Sequence, residues 1–350
     1  MKTVESEHQT SQPDPASSDQ LSRMILGGRI AQVLVVAAEL GIPDLLKDGP
    51  RTSDALAEAT STHAPSLHRL MRALAALGLV TVETAGYALT PLGSALRSDR
   101  PERLDLFARY SGHDSSWRSW GHLRHSIRTG EAAFPDVFGV QAWEYREQHP
   151  DFGDLFDDLM TVGSERRQDA ILSAYDFSGF RTVIDVAGGH GQLLGAVLQR
   201  YPGLQGILFD QSHVVVGAPE TLDSLGVRDR CTTIAGSFFE AVPTGGDAYL
   251  LKFILHDWDD DQAVAILQSV SRAMSAGATL LVIDRVLPQD GALQVNAALM
   301  DLHMLVSFAG KERTESEFRS LYERAGFRLT RVLQTASDVS IVEGVLSEEE

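Results

Sequence analysis

The side chains best placed to do chemistry fall in two stretches. The first is DVAGGHG, Asp185 to Gly191, with Asp210 in GILFD nineteen residues after Gly191. The second is HDWDDD, which begins at His256. An apolar run, TVIDVA, precedes the glycines, and a helical pattern, GQLLGAVLQRYP, follows them. Strand, glycine turn, helix, strand, acid is how a βαβ unit holds an adenosine-bearing cofactor. Glycines let the backbone approach the ligand, and the acid accepts hydrogen bonds from ribose hydroxyls. A dinucleotide fingerprint wants G-x-G-x-x-G, but Leu194 stands at the third glycine position. That departure weakens a nicotinamide or flavin reading without removing it, and favours S-adenosylmethionine. The plainest alternative is a tight strand–helix turn that binds nothing.

In the second stretch, DAYLLKFIL reads as a strand running into His256. Ligands gather at the C-terminal ends of parallel strands, so Lys252 and His256 lie near such an end. A histidine there suits proton transfer, because its pKa sits close to the working range. A helix-start histidine in a solvated loop is the competing reading. Asp259, Asp260 and Asp261 read as an N-cap and first-turn charges of the next helix. No metal is expected: Asp257 adjoins His256, but no third ligand stands at convincing spacing, and the acids fit no calcium loop. Cys231 opens a strand-like run, CTTIAGS, and reads as a small core residue.

These residues need a frame. From Thr182 onward TVIDVA, QGILFD, CTTIAGS, DAYLLKFIL and TLLVIDRVL alternate with helical stretches. The alternation predicts an α/β fold with a doubly wound parallel sheet. The last runs, FRLTRVLQT and DVSIVEGVL, are too close for a crossover and predict a hairpin with at least one antiparallel strand. Leu21 to Leu40 is apolar round most of a helix and needs cover, from its own domain or a second subunit. Next come RTSDALAEAT, capped by Thr52 or Ser53, and APSLHRLMRALAALGLV, ending at Gly78. LVTVETAGYALT then predicts a two-stranded wing turning near Ala85-Gly86. This winged-helix pattern serves either DNA binding or dimerisation and substrate covering. Between Arg51 and Arg100 stand five arginines and no lysine against four acids. That near-neutral balance favours the second. The expected divisions are a disordered leader over 1–19, the winged-helix domain over 20–100, an aromatic-rich helical segment over 101–175 and a catalytic domain over 176–350.

Bulk properties narrow the classes. A net charge of −18 argues against nucleic acid and anionic membrane as partners. One cysteine excludes an intrachain disulfide and fits a reducing compartment. Residues 1–19 lack a secretory pattern, and Ile30 to Leu40 is too short to span a membrane. A cytoplasmic location is the expectation.

VIDVAGGHG, GILFDQSHVV, GSFFEAVPTGGDAYLLKFILHDWDDDQ, LLVIDRVLP and DLHMLVSFAGKERTESEF together resemble the plant-type S-adenosylmethionine-dependent O-methyltransferases. The likeness extends to their actinobacterial relatives, which act on aromatic natural products, and covers residues 20 to 346. It implies a seven-stranded Rossmann-like methyltransferase sheet and a homodimer through the N-terminal domain. It implies methyl transfer to a phenolic or quinone-type hydroxyl, with His256 as general base and Asp284 and Glu312 flanking it. For the cofactor it implies Asp210 on the ribose and the backbone of Ala187, Gly188 and Gly189 at the amino-acid moiety. Ser164 would lie near the carboxylate, Ser237 and Phe238 at adenine, and Lys252 would complete the pocket. Phe152, Phe156, Met160, His303, Met304 and Phe308 match acceptor-lining positions. Ala187 and Ser237 stand where plant relatives often carry glycine and aspartate, and His303 where an aliphatic residue is common. Alternatives are a methyltransferase-like hydroxylase or decarboxylase, and a regulator that senses a small molecule.

Overall fold

Each apolar run after Thr182 becomes a strand. The computed structural model describes residues 15–290 and 294–347, so residues 1–14 of the expected leader lie outside the described residues. The strands are β1 Thr182–Val186, β2 Gln205–Asp210, β3 Cys231–Ala235, β4 Ala248–Lys252, β5 Thr279–Asp284, β6 Phe327–Gln334 and β7 Ser340–Leu346. They form one sheet in the order β6-β7-β5-β4-β1-β2-β3. The first five run parallel, and β7 is antiparallel to both neighbours.

Successive strand residues point to opposite faces, and both faces here are apolar. Ile184, Val186, Tyr249, Leu251, Leu280 and Val282 share one core. It is covered by α3 Asp260–Ala273 and α5 Glu315–Arg324. Val183, Leu208, Leu250, Leu281 and Ile283 share the other. It is covered by α2 Gln192–Arg200 and the end of α1 Pro150–Ala174. Cys231 is buried there, as expected of a core residue. Because five strands are parallel, Val186, Asp210, Ala235, Lys252 and Asp284 end along one edge of the sheet.

Two expected strands stop early, and both breaks matter. DAYLLKFIL leaves the sheet after Lys252, because Phe253 adopts φ +56. Leu255–Asp257 is then a single 3-10 turn carrying His256. TLLVIDRVL breaks after Asp284, and Val286–Leu287 pairs instead with Arg313–Thr314. That short parallel ladder brings Glu312 back to the end of β5. An apolar pattern cannot reveal either break, since the apolar residues continue through it.

The chain divides into two compact units, residues 1–113 and 114–350. The expected segment 101–175 is shared between them: Leu104–Gly112 packs on Gly27–Glu39 in the first unit. Within that unit Ser53–Ala59, Ala64–Ala76 and the hairpin Val80–Glu83/Gly86–Leu89 give the winged-helix arrangement. Thr52 is the cap, accepting from the Ala55 amide. Leu21–Leu40 is not one helix. It is the end of Pro15–Ile25 followed by Gly27–Glu39, bent by 44° where Leu26 meets Gly27 and Gly28. The helix also starts at Pro15, inside the expected leader. Leu21, Met24 and Ile25 are 59%, 65% and 75% exposed in the single chain. No single helix among the described residues is long and apolar enough to cross a membrane, and these two pass that test only as a bent pair.

Candidate active site

The expected triad assembles from three elements. His256 comes from the turn after β4, Asp284 from the end of β5, and Glu312 from the loop before α5. His256 Nδ1 lies 3.2 Å from Glu312 Oε1 and 3.6 Å from Asp284 Oδ1. Nε2 lies 3.6 Å from Asp257 Oδ1. All four residues are largely buried. Asp284 has no hydrogen-bond partner on either oxygen.

Burial alone would lower the His256 pKa, but the carboxylates of Asp284, Asp257 and Glu312 outweigh it and push it up to about 9. Burial drives Asp284 up and takes Asp257 to about 6, with the imidazole opposing in both. Burial would raise Glu312 as well, but His256 and Arg285 hold it below the usual range. An ionised Glu312 only accepts, so Nδ1 carries hydrogen and Nε2 is the nitrogen that exchanges a proton.

Residues that the sequence left unassigned brace this cluster. Arg313, fully buried, donates to the backbone carbonyls of Leu255 and Trp258 and to Asp260. It therefore fixes the turn on both sides of His256. Asp260 also pairs with Lys311, so it does more than charge the first turn of α3, while Asp259 is the N-cap. Gly310 packs so tightly that a Cβ would lie 2.1 Å from the His256 carbonyl. Arg285 bridges Glu312 to Asp338, which Arg167 of α1 also grips at 2.6 Å and 2.7 Å. Arg285 and Arg313 each adjoin an expected acid in sequence, and that adjacency was the available signal. Asp338 had none.

His256, Asp284 and Glu312 also place three potential ligand atoms within 4.8 Å of one another. This set does not include Asp257, the neighbour of His256 in sequence.

The cofactor side occupies the same sheet edge. Ala187 adopts φ +57 and Gly189 φ +61. The Asp210 carboxylate accepts from the Gly189 and Gln211 amides at 2.8 Å and 2.7 Å. A Cβ on Gly188 would lie 2.6 Å from the Asp185 carboxylate. Both Asp185 oxygens are buried without a hydrogen-bond partner, and burial pushes this acid up to about 7. Lys252, taken down to about 8 by burial, donates to Ser164 Oγ on α1 at 2.7 Å. Ser237 and Phe238 follow β3. Phe238 meets Phe239 and Trp258 edge-on, and Trp258 was not singled out from sequence. A turn with no room for a side chain at Gly188 and left-handed backbone at Gly189, an orphaned buried acid and an aromatic cluster past β3 suit a cationic adenosine-bearing molecule.

The acceptor-lining candidates split. Phe156 and Phe308 come together around Arg146 and Trp143. The Arg146 guanidinium carbon lies 3.4 Å from the Phe156 ring centre, and Trp143 stacks on Phe308 at 4.9 Å. His303, on α4 Val295–Phe308, stacks on Trp120 and accepts from its indole N–H at 3.2 Å. Burial and Arg146 push His303 down to about 4, so the ring is neutral. Its hydrogen is therefore on Nε2, because an indole N–H only donates. Met304 is buried. Phe152 packs edge-on to Tyr145, which belongs to a second aromatic group with Phe134 and Phe138. Met160 is exposed.

This sheet order, with a glycine turn after β1 and an acid ending β2, defines a Rossmann-like methyltransferase. The model of the O-methyltransferase domain matches residues 120–328, and that of the O-methyltransferase dimerisation domain matches residues 22–99. A phenazine O-methyltransferase of Lysobacter antibioticus is 42% identical over 327 residues, 93% of this chain and 95% of the relative. The structure of a mitomycin 7-O-methyltransferase superposes with a TM-score of 0.91 at 39% identity, covering 95% of this chain and 98% of that one. An O-methyltransferase of neocarzinostatin biosynthesis was solved with S-adenosylmethionine and 2-hydroxy-5-methyl naphthoic acid. It superposes at 0.82 with 35% identity, covering 91% and 96%. The chain belongs to the O-methyltransferase family and is an S-adenosylmethionine-dependent enzyme.

Proposed function

We propose that this enzyme methylates a phenolic or quinone-type hydroxyl of an aromatic natural product, with His256 as general base. One observation carries the base assignment: a buried imidazole with Nδ1 held by an ionised acid and a second acid beside it. S-adenosylmethionine, when bound, supplies an electrophilic methyl group. Glu312 fixes the imidazole tautomer, so that Nε2 takes the hydroxyl proton. Asp284 and Asp257 stabilise the imidazolium that results. Arg313 and Gly310 keep the turn in place, and Arg285 holds Glu312 ionised. Asp210, the Ala187–Gly189 backbone, Ser164, Ser237, Phe238 and Lys252 form the cofactor pocket in this reading.

The same acids set a cost. With a pKa of about 9, His256 at pH 7 is neutral in only about one molecule in a hundred, a penalty of roughly 2.7 kcal/mol. Turnover therefore rises with pH until that proton is lost.

Relatives support the acceptor class, since their names include a phenazine and a mitomycin enzyme. The exposed Leu21, Met24 and Ile25 support a homodimer through the first unit. Incubating the protein with labelled S-adenosylmethionine and hydroxylated polycyclic aromatics tests the reading, with His256→Ala alongside. Methyl incorporation is expected, and the variant should bind S-adenosylhomocysteine normally while losing at least about a hundredfold in turnover. A product that gains oxygen rather than CH2 would instead mark the changed-chemistry alternative.

A further inference from the structure

Asp338 stands on the loop between β6 and β7, and no step of the proposed reaction uses it. It accepts from Arg167 Nε and Nη2 at 2.6 Å and 2.7 Å, and from Arg285 Nη2 at 2.8 Å. The other terminal nitrogen of Arg285, Nη1, donates to Glu312 Oε1 at 3.2 Å. That is the same oxygen that takes His256 Nδ1, also at 3.2 Å. Glu312 Oε2 is buried and has no hydrogen-bond partner. Arg285 therefore reaches Glu312 with one nitrogen only. A guanidinium facing a carboxylate commonly forks onto both oxygens, because its paired N–H groups match their spacing. Here the second nitrogen is held by Asp338. Arg167 fixes Asp338 in turn, and its own Nη1 donates to the Gly163 carbonyl of α1 at 2.8 Å. The guanidinium carbons of Arg167 and Arg285 lie 5.0 Å and 5.2 Å from the centre of the Phe253 ring, which stacks on His256. Both arginines are thus packed as well as bonded.

We propose that Asp338 is a positioning residue for the base: it occupies one nitrogen of Arg285 and so keeps Glu312 available to His256. This rests on the reading of His256 as general base. Without Asp338, Arg285 turns its released nitrogen to Glu312 Oε2 and closes a two-bond pair with that acid. Glu312 is then drawn away from the imidazole, and Nδ1 loses the acceptor that fixes its hydrogen. The competing role for Asp338 is to fasten the β6–β7 loop to α1, which would leave the imidazole untouched.

The test follows the His256 Nδ1–H proton by NMR in the full chain with isotope-labelled histidine, saturated with S-adenosylhomocysteine. The signal is assigned by its loss in His256→Ala. No acceptor is needed, so the result is independent of which hydroxyl is methylated. Wild type should show a downfield Nδ1–H signal protected from exchange with water. In Asp338→Asn that signal should move upfield and exchange at least about tenfold faster. Asp338→Glu, which keeps the charge, should recover part of the protection. Arg167→Met removes the grip on Asp338 and should fall between wild type and Asp338→Asn. Ser337→Ala removes a 2.8 Å bond to Thr335 within the loop but leaves the Asp338 charge, and should match wild type. The Asp338 side chain is 47% exposed, so its replacement opens no core. Unchanged melting and S-adenosylhomocysteine affinity establish that the variants are folded. A crystal structure of Asp338→Asn should place Arg285 within hydrogen-bond distance of both Glu312 oxygens. For an acceptor methylated by wild type, kcat should fall about tenfold with its KM within about twofold. The proposal is overturned by a wild type without a protected signal, by an Asp338→Asn signal that keeps its shift and protection, by an equal change in Ser337→Ala, or by a kinetic loss confined to KM. The expected Nδ1–H changes without methylation of any acceptor support the role of Asp338 and count against the proposed reaction.

Discussion

Replacing Asp284 by asparagine should make His256 titrate at lower pH. The residue is 3.6 Å from Nδ1 and fully buried. A full charge at that distance, at an effective dielectric constant of about 20, is worth roughly 4–5 kcal/mol, or about three pKa units. Asp284, at about 7, is ionised at the pH where His256 titrates, so its charge is present in full, but relaxation and screening around the pair leave only part of that effect. Asp257 and Glu312 also remain. A fall of about one to two units from the starting value near 9 follows. The sign is fixed: the charged imidazole loses a stabilising anion, so its proton leaves at lower pH. Asp284 makes no hydrogen bond, so the isosteric amide breaks none, and the variant should fold. The assay is a histidine-detected NMR titration of the S-adenosylhomocysteine complex, with the His256 signal assigned by its loss in His256→Ala. The pH profile of kcat/KM provides a second measure, whose rising limb should move acidward by the same amount. A His256 signal that titrates at the same pH or higher in Asp284→Asn would refute the electrostatic account of the triad.

Three further outcomes follow from particular contacts. Ala187→Gly relieves a left-handed alanine at φ +57 and should raise the melting temperature by about 1–3 °C without weakening S-adenosylhomocysteine binding; a lower melting point would show that the alanine carries no strain. Arg313→Met strands the carbonyls of Leu255 and Trp258 and the Asp260 carboxylate. It should cost about 3–5 kcal/mol in denaturant unfolding, and a loss below 1 kcal/mol would contradict the bracing role. Exhaustive chelation should leave turnover unchanged, whereas excess Zn2+ should inhibit by capturing His256, Asp284 and Glu312; activity lost on chelation and restored by a divalent ion would replace the metal-free mechanism.

What the sequence discloses and what it hides divide along a physical line. Asp210 and the glycine turn are legible because strand, turn and helix are local, and each has its own periodicity. His256 is legible because a parallel strand points at it. Its partners are not local: Glu312 lies 56 residues on and reaches Nδ1 only because the chain breaks at Arg285 and pairs with Arg313–Thr314. The apolar residues of FIL and RVL hide both strand breaks, since hydrophobic pattern reports burial and not direction. Leu21–Leu40 hides its bend in the same way, although Gly27 and Gly28 stand at the break. Arg146 is the extreme case. Nothing in WEYREQHP singles it out, yet folding places three rings around it. Motifs thus recover the proposed site residues, while the contacts that hold them in place exist only in three dimensions.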